Sequence, residues 1–430
     1  MSTRAWTQAA GADRRAPTGE PNPVRYHLAG LAGRYPTCAP EAFSRFRPLR
    51  LFQSRNRSKI PGGILAKVTF AAASVSATSS VGGGGCVVYL VWRCMMAKAY
   101  RSAIGIPGGS EVEKCFYPFK VDTYGCGCPH NCLYCYSRST LEWRKLWNPD
   151  DPAVASVADI ESTFLAALDG SRRGRIADLV RARMPVRLGS KTDCFSKTER
   201  VHRVSFRLLQ LLREHRYPYL ILTKGDLLAD PEYLDVLDPS LAYVQFSVTT
   251  PYDDVAATWE PGAPVTSLRL RAIETLRSRG IHVAARICPL IPIYPDGHYS
   301  QTPSLCDPLN VFDWHLVDQL ADAGCETIIA GFLRLNYYNN NRRRIVAALG
   351  FDPDYLFSEE IRRRNDALYF SIEEKRYYYE TLRDLTHQHK MAFSVCYDGD
   401  EAYEVFRYLW DNPNDCCNAP FSPPRDLFGL

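Results

Sequence analysis

The sequence predicts an α/β protein: a partial (β/α)6 TIM-type barrel with a disordered N-terminal extension and an α+β C-terminal cap. Three observations carry that prediction. Between residues 115 and 335 short apolar runs alternate with amphipathic patterns of helical length, the arrangement that builds parallel sheets from βαβ units. Two helical patterns stop on a glycine, Gly280 and Gly324, just before the next apolar run. Several apolar runs end in polar clusters, at the strand ends where a barrel carries its functional groups.

Taken in order, residues 116–121 read as a first strand that delivers a cysteine loop, and residues 157–168 as a helix. A second strand follows at 186–190 and an amphipathic helix at 199–215, with Val201, Phe206, Leu208, Leu209 and Leu212 on one face. Residues 219–223 are the third strand, and 231–237 a short helix with proline in its first turn. A strand at 243–248, a helix at 267–279 and a strand at 282–290 come next. The sixth unit is a helix at 311–323 and a strand at 326–333. Beyond it a helix at 372–389 and a strand at 391–397 are expected in the cap.

The domain division expected is 1–94, 95–335 and 336–430. Residues 1–94 carry thirteen Lys/Arg against three acidic residues, a balance of +10, so the other 336 residues sum to −5 out of a total of +5. Bulk charge of the main body therefore gives no argument for a nucleic-acid partner; a local basic patch would be needed. The first 62 residues are rich in Arg, Pro, Gly and Ala without periodicity, as a disordered segment is. Residues 68–92 lack any charge but are crowded with Ser, Thr, Ala and the run Gly82–Gly85, a low-complexity linker rather than a membrane span. Translation is expected to begin at Met95 or Met96. Fifteen cysteines without the spacing of a secreted disulfide scaffold, and no apolar leader, point to a reducing cytoplasm with some thiols on metal.

The chemistry centres on G-C-P-H-N-C-L-Y-C-Y, residues 127–136. Cys128, Cys132 and Cys135 can wrap one compact metal centre. Three thiolates leave one iron of a four-iron cluster without a protein ligand, open to a substrate. The alternative is a structural zinc site, for which Cys126 is a possible fourth ligand. Behind this loop the strands end in G-S-K-T-D (189–193), L-T-K-G (222–225) and F-S-V-T-T (246–250). Asp193 and Thr192 suit hydroxyl groups, Lys224 suits a carboxylate, and Ser247 suits either.

These motifs, with Glu199, E-P-G-A-P (260–264) and Arg269, resemble the spore photoproduct lyase branch of the radical S-adenosylmethionine (SAM) superfamily over roughly residues 115–335. The resemblance implies a [4Fe–4S] cluster on Cys128, Cys132 and Cys135, and SAM contacts at Tyr134, Thr192, Asp193, Lys224 and Ser247. It also implies an external electron donor of flavodoxin or ferredoxin type, no membrane partner, and a thymine-derived base in DNA as substrate. One departure matters: the lyase has a hydrogen-donating cysteine three residues before its strand-two aspartate, and here that position is Ser190. Cys194 and Tyr136 are then the candidate catalytic residues, Cys194 having the alternative of a small buried filler. The expected activity is therefore base modification or rearrangement, as in thymidine hypermodification by phages, ahead of photoproduct repair. Action on RNA or a small metabolite, and a zinc-containing nucleic-acid module, are the other readings.

Substrate contacts are expected in R-L-N-Y-Y-N-N-N-R-R-R (334–344), which mixes stackable rings, amides and cations: Tyr337, Tyr338, Arg342 and Arg343. Cys396, Cys416 and Cys417 near the C-terminus admit a second cluster, a hydrogen donor or plain buried thiols.

Overall fold

The computed structural model describes residues 104–105, 115–291, 312–336, 340–349, 367–368, 370–396 and 404–421. All of them lie within the compact unit Ser79–Leu430. The expected N-terminal extension, 1–94, and Tyr337 and Tyr338 lie outside the described residues.

One eight-stranded sheet organises the unit. Its strands are β1 (Ile104–Gly105), β2 (Lys120–Val121), β3 (Val186–Leu188), β4 (Tyr219–Thr223), β5 (Ala242–Ser247), β6 (His282–Leu290), β7 (Thr327–Phe332) and β8 (Ala392–Val395), in that order in space as in sequence. Only β1 is antiparallel to its neighbour; β2 through β8 are all parallel. A parallel sheet wound in one direction is the barrel pattern, and its strands are covered on both faces. Hence the successive Tyr219, Leu220 and Ile221 of β4, which point to alternate faces, are all fully buried, as are Val244 and Phe246 of β5, each apolar side chain contributing about 1.5–3 kcal/mol.

The connecting helices are α1 (Tyr136–Trp143), α2 (Val157–Leu168), α3 (Arg175–Arg181), α4 (Lys197–His202), α5 (Val204–Glu214), α6 (Pro231–Val236), α7 (Asp253–Trp259), α8 (Thr266–Ser278), α9 (His315–Asp322), α10 (Asn341–Leu349) and α11 (Ile372–Gln388). No helix among the described residues is long and apolar enough to cross a membrane.

Three departures from the expected elements have local causes. The single helix expected over 199–215 is two, α4 and α5, broken at Arg203 with φ +55°. The buried Glu199 carboxylate takes over the first turn of α5, accepting from Ser205 N at 2.9 Å and Phe206 N at 2.7 Å. Tyr124 and Tyr233 hydroxyls complete its partners. Strand β3 stops at Leu188 because Gly189 turns to φ +85°, where a Cβ would lie 2.3 Å from the Leu222 carbonyl oxygen. The strand expected in the C-terminal cap instead pairs in parallel with β7, Ala392 opposite Thr327 and Val395 opposite Ala330, and lengthens the main sheet. Its crossover, α11, starts from a capping box of Ser371 and Glu374.

Candidate metal and cofactor site

The cysteine loop hangs from the end of β2. Its turns are closed by Asn131 N to Cys128 O (3.1 Å) and Cys135 N to Cys132 O (3.3 Å). Cys135 caps α1, its Sγ accepting from Arg138 N at 3.4 Å. Gly127 has no room for a side chain: a Cβ there would lie 1.8 Å from the Asn148 carbonyl oxygen. Cys132 is buried, Cys128 and Cys135 partly exposed.

The thiols sort into a set of three and an outsider. Burial pushes Cys128 up to about 12, with Asp193 and Cys135 adding to the effect. Burial also raises Cys132 strongly, and Glu260, Cys135 and Cys128 raise it further while Lys224 opposes. Cys126 is raised by burial alone and feels none of the other three. Their spacing also bears on the metal. The one trio of His, Cys, Asp and Glu ligand atoms within 4.8 Å of one another, among the described residues, lies elsewhere, at Asp415, Cys416 and Cys417. Four sulfurs around one zinc would sit only about 3.8 Å apart, from a Zn–S bond of about 2.3 Å. The Cys128, Cys132 and Cys135 sulfurs do not all lie that close to one another, and three thiols on one loop suit a cluster with one open corner.

Two clamps hold the loop. In the first, His130 bonds Asp193 Oδ2 (2.9 Å) through Nε2 and the Gly262 carbonyl (3.1 Å) through Nδ1. Asp193 Oδ2 also accepts from Lys224 N at 2.7 Å, and Oδ1 from Thr223 Oγ1 and Phe195 N, both at 2.8 Å. Burial alone would raise this carboxyl, but His130 and the backbone donors hold it down at about 2. In the second clamp, the fully buried Glu260 accepts from the Tyr134 hydroxyl and the Arg269 guanidinium. Thr249 Oγ1 stands at 3.4 Å from it and Lys224 Nζ at 3.7 Å. Backbone bonds extend the grip: Leu133 N to Trp259 O (2.9 Å) and Gly262 N to His130 O (3.0 Å).

The strand-end residues thus converge on the loop, though with partners the sequence did not disclose. Asp193 lies beside Cys128 and Lys224 beside Cys132. Both Asp193 oxygens are doubly occupied by the chain's own donors. Thr192 gives its hydroxyl to the Tyr124 carbonyl, Lys224 pairs with Glu260 and stands 5.8 Å from the Tyr134 ring, and Ser247 offers its carbonyl to Arg269 at 2.9 Å. Cys194 is completely buried with Sγ 3.8 Å from the Val121 carbonyl. Tyr136 is 44% exposed, and its hydroxyl reaches the Ser190 carbonyl at 2.9 Å.

The basic segment after β7 divides. Asn341 and Arg344 turn inward onto α1. Asn341 accepts from Ser139 Oγ at 2.5 Å and donates to the Tyr134 carbonyl at 3.1 Å. Arg344 donates to Glu142 at 2.6 Å and to the Leu133 carbonyl at 3.4 Å. Arg343 is exposed and Arg342 half-buried. Nothing in the run N-N-N-R-R-R marks which members face inward, since helix α10 sets that by its phase. Asn341→Ala is expected to lower stability by about 1–3 kcal/mol, because it strips partners from buried polar groups. The urea midpoint checks this, and an unchanged midpoint would show that the contact carries no stability.

Residues 123–302 match the family model described as Radical SAM superfamily. Among curated proteins, an uncharacterized protein of Mycobacterium tuberculosis and one of Mycobacterium bovis are each 26% identical over 182 residues, 42% of this chain and 52% of their own. The chain spans about half the length of these relatives. Among solved structures, a spore photoproduct lyase variant aligns at 15% identity and TM-score 0.48, covering 75% of this chain and 88% of its own. Spore photoproduct lyase complexed with dinucleoside spore photoproduct aligns at 15% and 0.47, covering 70% and 81%. Streptococcus suis SuiB bound to precursor peptide SuiA aligns at 12% and 0.41, covering 67% and 51%.

Proposed function

We propose, for a chain that carries a radical SAM superfamily domain at residues 123–302, an enzyme that modifies or rearranges a thymine-derived base in DNA. The superfamily uses a [4Fe–4S] cluster and SAM. The observation that carries the reading is geometric: Cys128, Cys132 and Cys135 share one loop closed by its own turns, and the strand-end residues Asp193 and Lys224 and the buried Glu260 clamp that loop through His130 and Tyr134. When bound, the cluster and SAM supply a 5′-deoxyadenosyl radical, chemistry that belongs to the cofactor.

The chain's own residues bind and orient. Cys128, Cys132 and Cys135 hold the cluster. Lys224 and Ser247, at the ends of β4 and β5, and Tyr134, inside the loop, contact SAM. Asp193 and Thr192 act on the same site by fixing the loop and strand edges that present it. Glu260, Arg269 and Lys224 make a buried charged set under the loop that holds Tyr134 in place. Recognition of a base falls to Tyr337, Tyr338, Arg342 and Arg343, and a base inside a duplex must be flipped out or bound single-stranded. The branch assignment rests on the strand-end motifs, and Ser190 in place of a thiol favours modification over photoproduct repair. A hydroxyl O–H is much harder to break homolytically than a thiol S–H.

Anaerobic reconstitution followed by SAM turnover tests this. About four irons per chain and cleavage to 5′-deoxyadenosine are expected, with turnover raised by thymine-containing or hypermodified DNA. Cleavage that no DNA stimulates would defeat the DNA reading and leave RNA or a small metabolite. Zinc without cleavage would defeat the radical reading altogether.

A further inference from the structure

A second concentration of thiols lies outside the 128–135 loop. The ligand atoms of Asp415, Cys416 and Cys417 lie within 4.8 Å of one another, and all three residues are buried. Asp415 is committed to the fold: Oδ2 accepts from Tyr117 Oη (2.6 Å) and Ala419 N (2.9 Å), and Oδ1 from Cys417 N (2.8 Å). That leaves the sulfurs. Cys396 and Cys115 are close enough to Cys416 that each adds to the charge it feels.

Two buried cations face these sulfurs. Arg286 donates to Cys396 Sγ at 2.9 Å and to Gln245 Oε1 at 2.9 Å. Arg187 donates to Cys115 Sγ at 3.4 Å. Among the described residues neither guanidinium has a carboxylate at ion-pair distance, and the Arg187 Nε and Gln245 Nε2 atoms are buried without a hydrogen-bond partner. Gln245 is 0% exposed. A buried charge needs compensation, and with the Asp415 carboxylate committed to the fold, the other groups here able to become anions are thiols. The thiolate is the form that binds metal.

We propose that Cys416 and Cys417, with Cys396 and Cys115 beside them, form a second metal centre that takes a thiophilic ion or an iron–sulfur cluster. Arg286, Arg187 and Gln245 supply the outer hydrogen bonds that a thiolate-bound metal requires. Cys115 precedes β2 and Cys396 follows β8, the first and last parallel strands. The residues 415–417 are bonded to both, through Tyr117 Oη to Asp415 and Ser394 Oγ to the Cys416 carbonyl at 2.5 Å. The centre therefore fastens the first and last parallel strands to the C-terminal segment. It stands whether or not the substrate proposed above is right.

The test is metal analysis of the full chain, reconstituted anaerobically with iron and sulfide or with zinc. The intact chain is expected to hold metal beyond the about four irons of one cluster, and the C128A/C132A/C135A variant to keep that excess. A retained cluster with sulfide identifies an iron–sulfur centre; about one zinc without sulfide identifies a single ion. Cys416→Ser with Cys417→Ser should remove the excess from the intact chain while the first cluster remains. In case that pair unfolds the chain, cadmium added to the intact protein should give sulfur-to-cadmium ultraviolet absorption beyond what the triple variant loses. An intact chain with only about four irons, no zinc and no such absorption overturns the proposal, as does excess metal that survives both serine replacements.

Discussion

Cys128→Ala is expected to abolish the four-iron centre and SAM cleavage together while the fold persists. Cys128 lies in the cysteine loop and in no strand of the sheet, the residue is partly exposed, and a Cys-to-Ala change removes a single sulfur atom, so its loss leaves no large cavity. The chemistry has no such tolerance: a three-thiol set that loses one member can no longer hold four irons. Cleavage should fall by more than about a hundredfold, the loss that changing even the outer partners of a metal ligand can reach. Cys126→Ala sharpens the experiment, since it should keep both iron and cleavage. Iron content, 5′-deoxyadenosine formation and far-ultraviolet circular dichroism measured on both variants decide it. A Cys128→Ala chain that still cleaves SAM, or a Cys126→Ala chain that does not, would show that the ligand set is misassigned.

Glu260→Gln carries the largest expected stability effect. The carboxylate is fully buried, the Arg269 side chain is 1% exposed and that of Lys224 14%. Burial raises the Glu260 carboxyl, but Arg269, Lys224 and the Tyr134 hydroxyl together hold it below its ordinary value. Neutralising it leaves two cations under the loop without their anion, a loss of about 3–5 kcal/mol. The arginine should be the more sensitive partner, because its guanidinium also bonds the Pro264 and Ser247 carbonyls. Gly262→Ala strikes the same clamp sterically, since a Cβ would lie 1.8 Å from the Pro129 carbonyl oxygen. Urea midpoints and iron retention in the two variants should fall together. A Glu260→Gln midpoint equal to the parent's would show that the buried charges are compensated some other way.

Much of the fold was legible because parallel strands are buried on both faces and announce themselves as apolar runs. Residues 219–223 and 282–290 are strands with the expected bounds, and 157–168 is the expected helix. The break at Arg203 was hidden, because it depends on Glu199 meeting residues from three other segments. The membership of β8 in the main sheet was hidden too: a strand declares its face in sequence but not its neighbour. At the site, the residue types at the strand ends were readable and their partners were not. Asp193 reads as a group for a ligand's hydroxyls, yet it is saturated by His130, Thr223, Lys224 and Phe195. The sequence signal for that clamp was present in E-P-G-A-P, whose glycine admits the Pro129 backbone, but no spacing rule links residue 262 to residue 130.

Helix α10 leans on α1 through Asn341 and Arg344, and α1 begins at the Cys135 cap. A load on α10 therefore reaches the Cys135 end of α1 through two side chains. The seating of the cysteine loop thus depends on a helix far downstream in the chain, which a cut between the two would be expected to loosen.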